Sequence, residues 1–237
     1  MLLLYYHKAI GYLQAFVHLF YPHICLECGT ELVSSHSVLC THCENNLPYT
    51  DLFQIENNRI EKVFWGRCKL SAAGAALFFT KDTLVQTLIF ELKYKQNKKA
   101  GWFLGNIIGT SIQHLDRFKK IDTLIPIPIS RKKERQRGFN QSLIICEGIQ
   151  AILPSIHIAS VLRKPTSNQS QTTKGRLQRN EPIAHVFELM DAVTVKGGHL
   201  LLVDDVITTG ATLEAACNCL WLGQPHSVSL AAAAYTL

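Results

Sequence analysis

Two acidic side chains directly after a short apolar run carry the clearest chemical signal in this sequence of 237 residues. Leu200–Val203 is apolar throughout and predicts a buried strand, and Asp204 and Asp205 follow it, where open α/β sheets bind their ligands. The small polar loop Thr208–Thr212 opens a predicted helix and would present backbone N–H groups, hydroxyls and a positive dipole end to an anion. A sugar phosphate, with hydroxyls near the acids and its phosphate in the loop, would satisfy both halves.

Four of the eight cysteines have the spacing of a metal site. They follow the pattern C-x2-C-x11-C-x2-C and are Cys25, Cys28, Cys40 and Cys43. Each close pair can turn two thiolates toward one ion, which predicts a closed tetrahedral site for structural Zn²⁺. A framework of two disulfides is the alternative for the same residues, and a nearby histidine (His23, His36 or His42) could replace a cysteine.

Positive charge is concentrated in the middle of the chain. Residues 91–140 contain twelve Lys or Arg and four Asp or Glu, whereas the whole chain has a formal charge of +6. A basic segment within a nearly neutral globule indicates a phosphate-bearing partner, either a nucleotide-like ligand or a nucleic acid. Apolar residues make up 47% of the chain and charged residues 18%, which excludes a disordered protein.

The elements that must position these residues alternate between strands and helices. Strands are predicted at 70–80, 123–129, 186–190, 199–203 and 228–234, and helices at 84–95, 99–115, 140–152 and 212–222. The polar segment 47–58 is interpreted as a linker, and a basic loop is expected between the strand at 123–129 and the next helix. This alternation predicts an α/β fold with a mostly parallel sheet covered by helices on both faces.

The N-terminal segment, residues 1–20, is apolar but lacks the features of a signal peptide. His7 and Lys8 interrupt its apolar run, and no Ala-x-Ala cleavage site follows. It predicts an amphipathic helix packed on its own domain, with membrane association as the alternative. Because no apolar stretch approaches the roughly 18–20 residues that span a bilayer, we expect no stable membrane insertion and a cytoplasmic protein.

The run Leu200–Thr212 resembles the motif that binds phosphoribosyl pyrophosphate (PRPP) in type I phosphoribosyltransferases. The resemblance implies that Asp204 and Asp205 are the catalytic acids and face the ribose 2′- and 3′-hydroxyls, with Mg²⁺ close by. It places the 5′-phosphate in the loop formed by Thr208, Thr209, Gly210, Ala211 and Thr212. In hypoxanthine-guanine-type transferases, an Asp that acts on the purine N7 proton stands at the position of Thr208. Purine salvage by that mechanism is therefore not expected here.

Two further segments resemble the "PxP…RGFNQ" signature of the ComF family. They are Ile125–Ile129 (IPIPI) and Arg135–Ser142 (RQRGFNQS), and further matches are Leu92–Tyr94, Gln171, Arg179–Asn180 and Phe187. This family joins a four-cysteine module to a phosphoribosyltransferase-like domain and is associated with natural competence. The resemblance implies a zinc module at 21–50 and a type I phosphoribosyltransferase-like domain at 60–237, after the N-terminal helix at 1–20.

The basic residues after the proline-containing strand then acquire a specific role. Forked guanidinium donors hold phosphate oxygens in pairs, so Arg131, Arg135 and Arg137 could hold the pyrophosphate of PRPP, and Gly138 would allow close backbone approach. A solvated basic loop is the alternative. The resemblance also places a mobile catalytic hood at Gln169–Arg179.

Two functions of different classes are consistent with the sequence. The first is Mg²⁺-dependent transfer of a phosphoribosyl group from PRPP, or a related ribose phosphate, to an unidentified nitrogen nucleophile. The second is a non-catalytic competence factor that binds single-stranded DNA or a competence helicase through the zinc module and the basic segment. Aromatic residues in that segment, which are Tyr94, Trp102, Phe103 and Phe139, could stack on bases, although such residues more often belong to a core.

Overall fold

The computed structural model describes residues 23–32, 34, 37–81, 83–165 and 186–236. The N-terminal helix predicted at 1–20 and the hood predicted at Gln169–Arg179 lie outside these residues. The chain divides between Leu47 and Pro48 into two compact units.

The first unit is a small module built around its cysteines. An antiparallel bridge joins Ile24 to Glu31 across a tight turn in which Gly29 has a φ of +71°. This left-handed conformation is accessible to glycine without a steric penalty. The helix α1 follows at Thr41–Asn45. The buried residues of the module are Cys25, Leu32, Val38, Leu39, Cys43 and Leu47.

The second unit contains the remaining elements. Its helices are α2 (Arg59–Phe64), α3 (Leu84–Tyr94), α4 (Lys98–Ile112), α5 (Arg131–Arg137), α6 (Gln141–Ile152), α7 (Ala192–Val195) and α8 (Ala211–Trp221). Its strands are β1 (Ala73–Phe79), β2 (Thr123–Pro126), β3 (His157–Ile158), β4 (Leu162–Arg163), β5 (Glu188–Leu189), β6 (His199–Ile207) and β7 (Ser227–Thr236).

Five strands form one parallel sheet in the order β1-β7-β6-β2-β3. The central strand β6 pairs with β7 along most of its length, from His199 opposite Ser227 to Ile207 opposite Tyr235. On its other side β6 pairs with the shorter β2. The strands β4 and β5 form a separate antiparallel pair. The predicted α/β class with a mostly parallel sheet is therefore confirmed.

Helices cover both faces of this sheet. One face packs against α3, α4 and α6, and the other packs against α2 and α8. Because side chains alternate along a strand, Leu200 and Leu202 belong to the core beneath α2 and α8, while Leu201 and Val203 face the other layer. All four side chains are fully buried, which explains why this strand reads as a continuous apolar run.

Glycines allow α4 and α6 to approach one another closely. A Cβ at Gly105 would lie 2.2 Å from the carbonyl oxygen of Ile145, and a Cβ at Gly148 would lie 2.3 Å from that of Trp102. Any larger residue at either position would force the two backbones apart. This contact holds α6, which carries residues of the candidate site, against the sheet.

Two predictions about local structure were wrong. The predicted linker is part of the second unit from Pro48 onward, because Thr50 N–H donates to the Ala76 carbonyl at 2.9 Å and Leu52 and Phe53 are buried. The predicted basic loop is the helix α5. Its N-cap Ser130 accepts a hydrogen bond from the Lys133 N–H, and Gly138 ends it with a φ of +80°.

Candidate functional site

The acid pair lies near the carboxyl end of β6, just beyond the point where β2 stops pairing with this strand. The β2 ladder stops at Pro126 opposite Val203, while β7 continues beside Asp204 and beyond. The acids therefore extend past the end of β2 while still anchored to β7. The strand β6 runs to Ile207, four residues farther than predicted. Asp204 and Asp205 therefore lie within the strand, near its end, and not after it. This edge is where ligands bind in open α/β sheets.

The two carboxylates have different partners. Asp205 forms an ion pair with Lys93 at the end of α3, with Nζ and Oδ1 2.8 Å apart. Their side chains are only 12% and 21% exposed. Asp204 instead accepts hydrogen bonds at Oδ1 from the Ser142 hydroxyl at 3.2 Å and from the Asp205 N–H at 2.9 Å. One acid is thus neutralised by a cation, and the other is held by neutral donors.

This arrangement perturbs the protonation of Asp204. Burial, with a further contribution from the neighbouring charge of Asp205, raises the pKa of Asp204 to about 7. Hydrogen bonds from the Asp205 N–H and from Ser142, together with the charge of Lys93, act in the opposite direction and are weaker. A cation or a set of hydroxyl donors brought to Asp204 would favour its ionised form, which is the property expected of a ligand-binding carboxylate.

The loop after β6 forms a small open concavity with a cavity volume of about 40 Å³. Asp204, Val206 and every residue from Ile207 to Leu213 line it, so the loop predicted to bind phosphate and one of the acids share a single pocket. Gly210, with a φ of +75°, turns the chain into α8. The first N–H groups of an α-helix have no partner within the helix and lie at the positive end of its dipole. The pocket therefore combines the carboxylate of Asp204 with a helix N-terminus that favours an anion.

A residue that sequence reasoning missed braces this loop. Arg67 donates from Nη1 to the Thr209 carbonyl at 3.2 Å and to the Val63 carbonyl at 3.1 Å. Its Nη2 forms an ion pair with Glu214 in the first turn of α8. Phe64 packs beneath the same loop, because a Cβ at Gly210 would lie 2.8 Å from its ring. Thr209 and Arg67 are far apart in sequence, so no local pattern could have indicated this contact.

Arg137 lies beside the partners of the acid pair. Its Nη1 donates to Gln141 Oε1 at 2.8 Å, and its guanidinium lies 5.5 Å from the centre of the Tyr94 ring. Gln141 precedes Ser142, which binds Asp204, and Tyr94 follows Lys93, which binds Asp205. Arg137 thus contacts two residues, each of which is the sequence neighbour of a partner of the acid pair.

The other predicted phosphate-binding residues have different surroundings. Arg131 lines a second pocket at the end of β2, and Arg135 is exposed on α5. A Cβ at Gly138 would make only ordinary van der Waals contact, with Gln96 Oε1 at 3.7 Å. The three arginines therefore have different neighbours, and their role in holding pyrophosphate stays a prediction.

The four cysteines converge in the first unit as predicted. Their sulfur atoms all lie within 4.8 Å of one another, and Cys28 Sγ and Cys40 Sγ are 3.7 Å apart. A tetrahedral ion with Zn–S distances of about 2.3 Å separates its sulfurs by about 3.8 Å. The Thr30 hydroxyl lies 3.2 Å from Cys28 Sγ, and its hydrogen bond lowers the pKa of that thiol to about 6. The donor set is compatible with structural zinc.

His42 is not part of this cluster, because its ring nitrogen lies 3.3 Å from the side-chain amide of Asn46. His36 lies outside the described residues. Within the described part of the chain, the metal-binding cluster consists of the four thiols alone. No helix in the same part of the chain combines the length and the apolar character needed to cross a bilayer.

Comparison with known proteins finds relatives named as DNA utilization proteins and competence proteins. No family model matches the chain. It is 26% identical over 136 residues to DNA utilization protein YhgH of Escherichia coli O157:H7, covering 56% of this chain and 59% of that protein. It is 36% identical over 107 residues to Competence protein ComFC of Bacillus subtilis (strain 168), covering 45% and 41%. Competence protein F of Haemophilus influenzae (strain ATCC 51907 / DSM 11121 / KW20 / Rd) is 21% identical over 80% of this chain and 75% of its own length.

Among solved structures, an alanine mutant of an invariant aspartic acid in HPRTs matches with a TM-score of 0.37 and 11% identity, over 58% of this chain and 78% of that one. The matches to YhgH and ComFC span less than two thirds of those proteins. The four-cysteine cluster, the parallel sheet and the similarity to these competence and DNA utilization proteins support the resemblance of this chain to the ComF family.

Proposed function

We propose that this chain binds PRPP, or a related ribose phosphate, together with Mg²⁺ at the end of β6, in a process linked to DNA uptake. The observation that carries the proposal is the shared pocket of Asp204 and the loop Thr208–Thr212. A 5′-phosphate fits the helix start, which attracts anions. Ribose hydroxyls can donate to the carboxylate of Asp204, which lines the pocket, and Asp205 is the neighbouring acid.

The acid pair also fits a divalent ion beside the sugar. Carboxylate and hydroxyl oxygens are the ligands that Mg²⁺ prefers, and when bound the ion supplies charge neutralisation to a departing pyrophosphate. On the protein side, Arg137, Arg135 and the backbone at Gly138 are the groups that would meet the remaining negative charge. The names of the relatives, DNA utilization protein and competence protein, support the link to DNA.

The reaction that such a site would support is transfer of the ribosyl group. The C1′–O bond of PRPP breaks, and its electron pair leaves with pyrophosphate. A nitrogen lone pair of the acceptor forms the new C1′–N bond, and the proton on that nitrogen passes to solvent. The carboxylates of Asp204 and Asp205 favour the positive charge that develops on the sugar ring.

Calorimetric titration of PRPP with Mg²⁺ into the zinc-loaded protein tests the proposal. We expect Asp204→Asn combined with Asp205→Asn to weaken binding by about tenfold or more, because charge-assisted hydrogen bonds are lost. Asp116→Asn is the matched control, since this carboxylate is largely exposed and pairs only with Lys119. Equal affinity in the double variant and the control would contradict the proposal.

Exposed aromatic side chains support a second candidate, binding of single-stranded DNA. Tyr94 is 60% exposed and Trp102 is 42% exposed, whereas Phe139 is buried and Phe103 is half-buried. The Arg137 guanidinium lies 5.5 Å from the centre of the Tyr94 ring, and the helix α4, which carries Trp102, begins with Lys98 and Lys99. Bases stack on such rings in single-strand binding proteins. A competence helicase is the alternative partner for the same surface.

Binding of an unstructured oligonucleotide, measured at several salt concentrations, tests this second function. We expect Tyr94→Ala with Trp102→Ala to weaken binding by about tenfold or more and leave the dependence on salt nearly unchanged, because stacking is lost and phosphate contacts are kept. Absence of binding at low salt in the unaltered protein would exclude DNA as the partner of this surface.

A further inference from the structure

A second pocket opens at the end of β2, apart from the pocket of the acid pair. Its cavity volume is about 220 Å³. Pro126, Pro128, Ile129, Leu143 and Leu162 give it an apolar lining. Polar groups come from Asn140 and Ser160, and charges come from Arg131, Glu134, Arg163 and Lys164. An apolar floor with a few convergent polar groups is typical of sites for small organic ligands.

The charged side chains that line this pocket have a net positive charge. Arg163 is paired with Glu188, so its charge is already compensated. Lys164 lies over the ring of Phe187, with its Nζ 5.6 Å from the ring centre. Arg131 and Lys164 face Glu134 as the single acid of the lining. A ligand with one negative group would restore neutrality.

The pocket adjoins the acid pair through the first turn of α6. Asn140, which lines the pocket, caps α6 and donates from Nδ2 to the Ile127 carbonyl at 3.0 Å. Ser142, two residues later, donates to Asp204. The first turn of α6 therefore connects the lining of this pocket to the partner of Asp204.

We propose that this pocket binds the acceptor of the ribosyl group, and that the acceptor is a small planar organic anion. This inference rests on the proposed function. The anionic group of the acceptor lies between Arg131 and Lys164, and its flat apolar body lies on the prolines and leucines. Pyrophosphate fits the pocket less well, because it has no apolar surface and carries more negative charge than the lining can neutralise. Arg131 thereby receives a role different from that of Arg137.

Benzoate and its neutral isostere benzamide are suitable probes, since neither carries a nucleophilic nitrogen that could accept the ribosyl group. Their binding is measured by protein-observed NMR, in the free protein and in the protein saturated with PRPP and Mg²⁺. We expect benzoate to bind at least about tenfold more tightly than benzamide, because a charge-assisted contact distinguishes them. Arg131→Gln and Lys164→Gln should each weaken benzoate and leave benzamide unchanged.

Lys133→Gln provides the matched control, because Lys133 is exposed on the same helix and does not line the pocket. Equal binding of benzoate and benzamide, or an equal loss in Lys133→Gln, would overturn the inference. The inference would also be overturned if inorganic pyrophosphate displaces benzoate from the unaltered protein but not from Arg131→Gln. The pocket would then be the site of the leaving group.

The same variants separate this inference from the proposed function. Arg131→Gln should keep its affinity for PRPP within about threefold, whereas the Asp204→Asn, Asp205→Asn protein should lose PRPP and still bind benzoate. If PRPP binds and benzoate does not, the inference fails alone. If benzoate binds with the expected preference and PRPP does not bind, the proposed function fails and the pocket remains an anion site.

Discussion

At the scale of single residues, the site depends on two adjacent carboxylates that the protein treats differently. Lys93 neutralises Asp205, while Asp204 is held by a hydroxyl and a backbone N–H. Two uncompensated charges so close together inside a protein would repel strongly. The lysine therefore makes the acid pair tolerable in the folded chain and leaves Asp204 available to a ligand.

Removal of this lysine should cost stability. We expect Lys93→Met to lower the free energy of unfolding by about 1–3 kcal/mol, less than for a fully buried pair because both side chains retain some exposure. Urea denaturation measures the change. Lys119→Met, which breaks a pair whose side chains are 69% and 88% exposed, should cost about 0–1 kcal/mol. A similar cost in both variants would show that Lys93 and Asp205 do not interact as described.

The raised pKa of Asp204 predicts how stability changes with pH. In the folded chain Asp204 takes up a proton below a pH of about 7, whereas in the unfolded chain it does so near its ordinary value of 3.8. The folded state thus binds more protons between these values, and its stability falls as the pH rises through this window. In magnesium-free buffer we expect Asp204→Asn to reduce this fall by on the order of 1–3 kcal/mol. Identical pH profiles for the two proteins, measured by denaturation from pH 4.5 to 8, would contradict the assignment.

At the scale of elements, the close contact between α4 and α6 positions the helix that carries Ser142, the partner of Asp204. Alanine in a helix is normally more stabilising than glycine by about 0.5–1 kcal/mol. Gly148→Ala should have the opposite effect and destabilise the protein by about 1–3 kcal/mol, because its Cβ would meet the Trp102 carbonyl at 2.3 Å. Thermal denaturation tests this, with Ser111→Ala as a control whose hydroxyl bonds only to its own helix at Ile107. Stabilisation by Gly148→Ala would show that the two helices are farther apart.

Sequence reasoning predicted elements better than it predicted their ends. The apolar run at Leu200–Val203 identified β6 but not its continuation to Ile207, because the polar acids hid the pairing with β7. The helix α5 was missed although Ser130 and Gly138 are good capping residues, since the prolines before it and its many charges suggested a loop. Both errors arise where local composition and tertiary pairing disagree.

Only part of the candidate site could be predicted from the sequence, because the rest of it depends on tertiary contacts. The acids and the loop Thr208–Thr212 are contiguous in the chain, so a motif could reveal them. The ion pair of Lys93 with Asp205 and the brace from Arg67 to Thr209 join distant segments that meet only in the folded sheet. Such contacts produce no periodicity or spacing in the amino-acid sequence from which they could be predicted.

At the scale of the whole molecule, the first unit relies on its cysteines more than on its core. Small modules bury too little apolar surface to fold securely, and structural zinc supplies the missing stability. We expect one zinc per chain, and removal of the ion by a zinc-selective chelator should increase hydrogen exchange in residues 23–47. Metal analysis and exchange mass spectrometry measure both.

Variants separate this role from that of other thiols. Cys43→Ser should lose zinc, because Cys43 is one of the four converging sulfurs. Cys68→Ser should keep it, since Cys68 lies in the second unit outside the cluster. Full retention of zinc by Cys43→Ser would refute the tetrathiolate site.

The central claim is that a ribose phosphate binds at the carboxyl end of β6. Hydrogen-exchange mass spectrometry of the protein with and without PRPP and Mg²⁺ locates the ligand directly. The account predicts that the largest new protection appears in peptides spanning Asp204–Glu214, and that it disappears in the Asp204→Asn, Asp205→Asn variant. Protection confined to other segments, or none in protein that is folded and loaded with zinc, would contradict it.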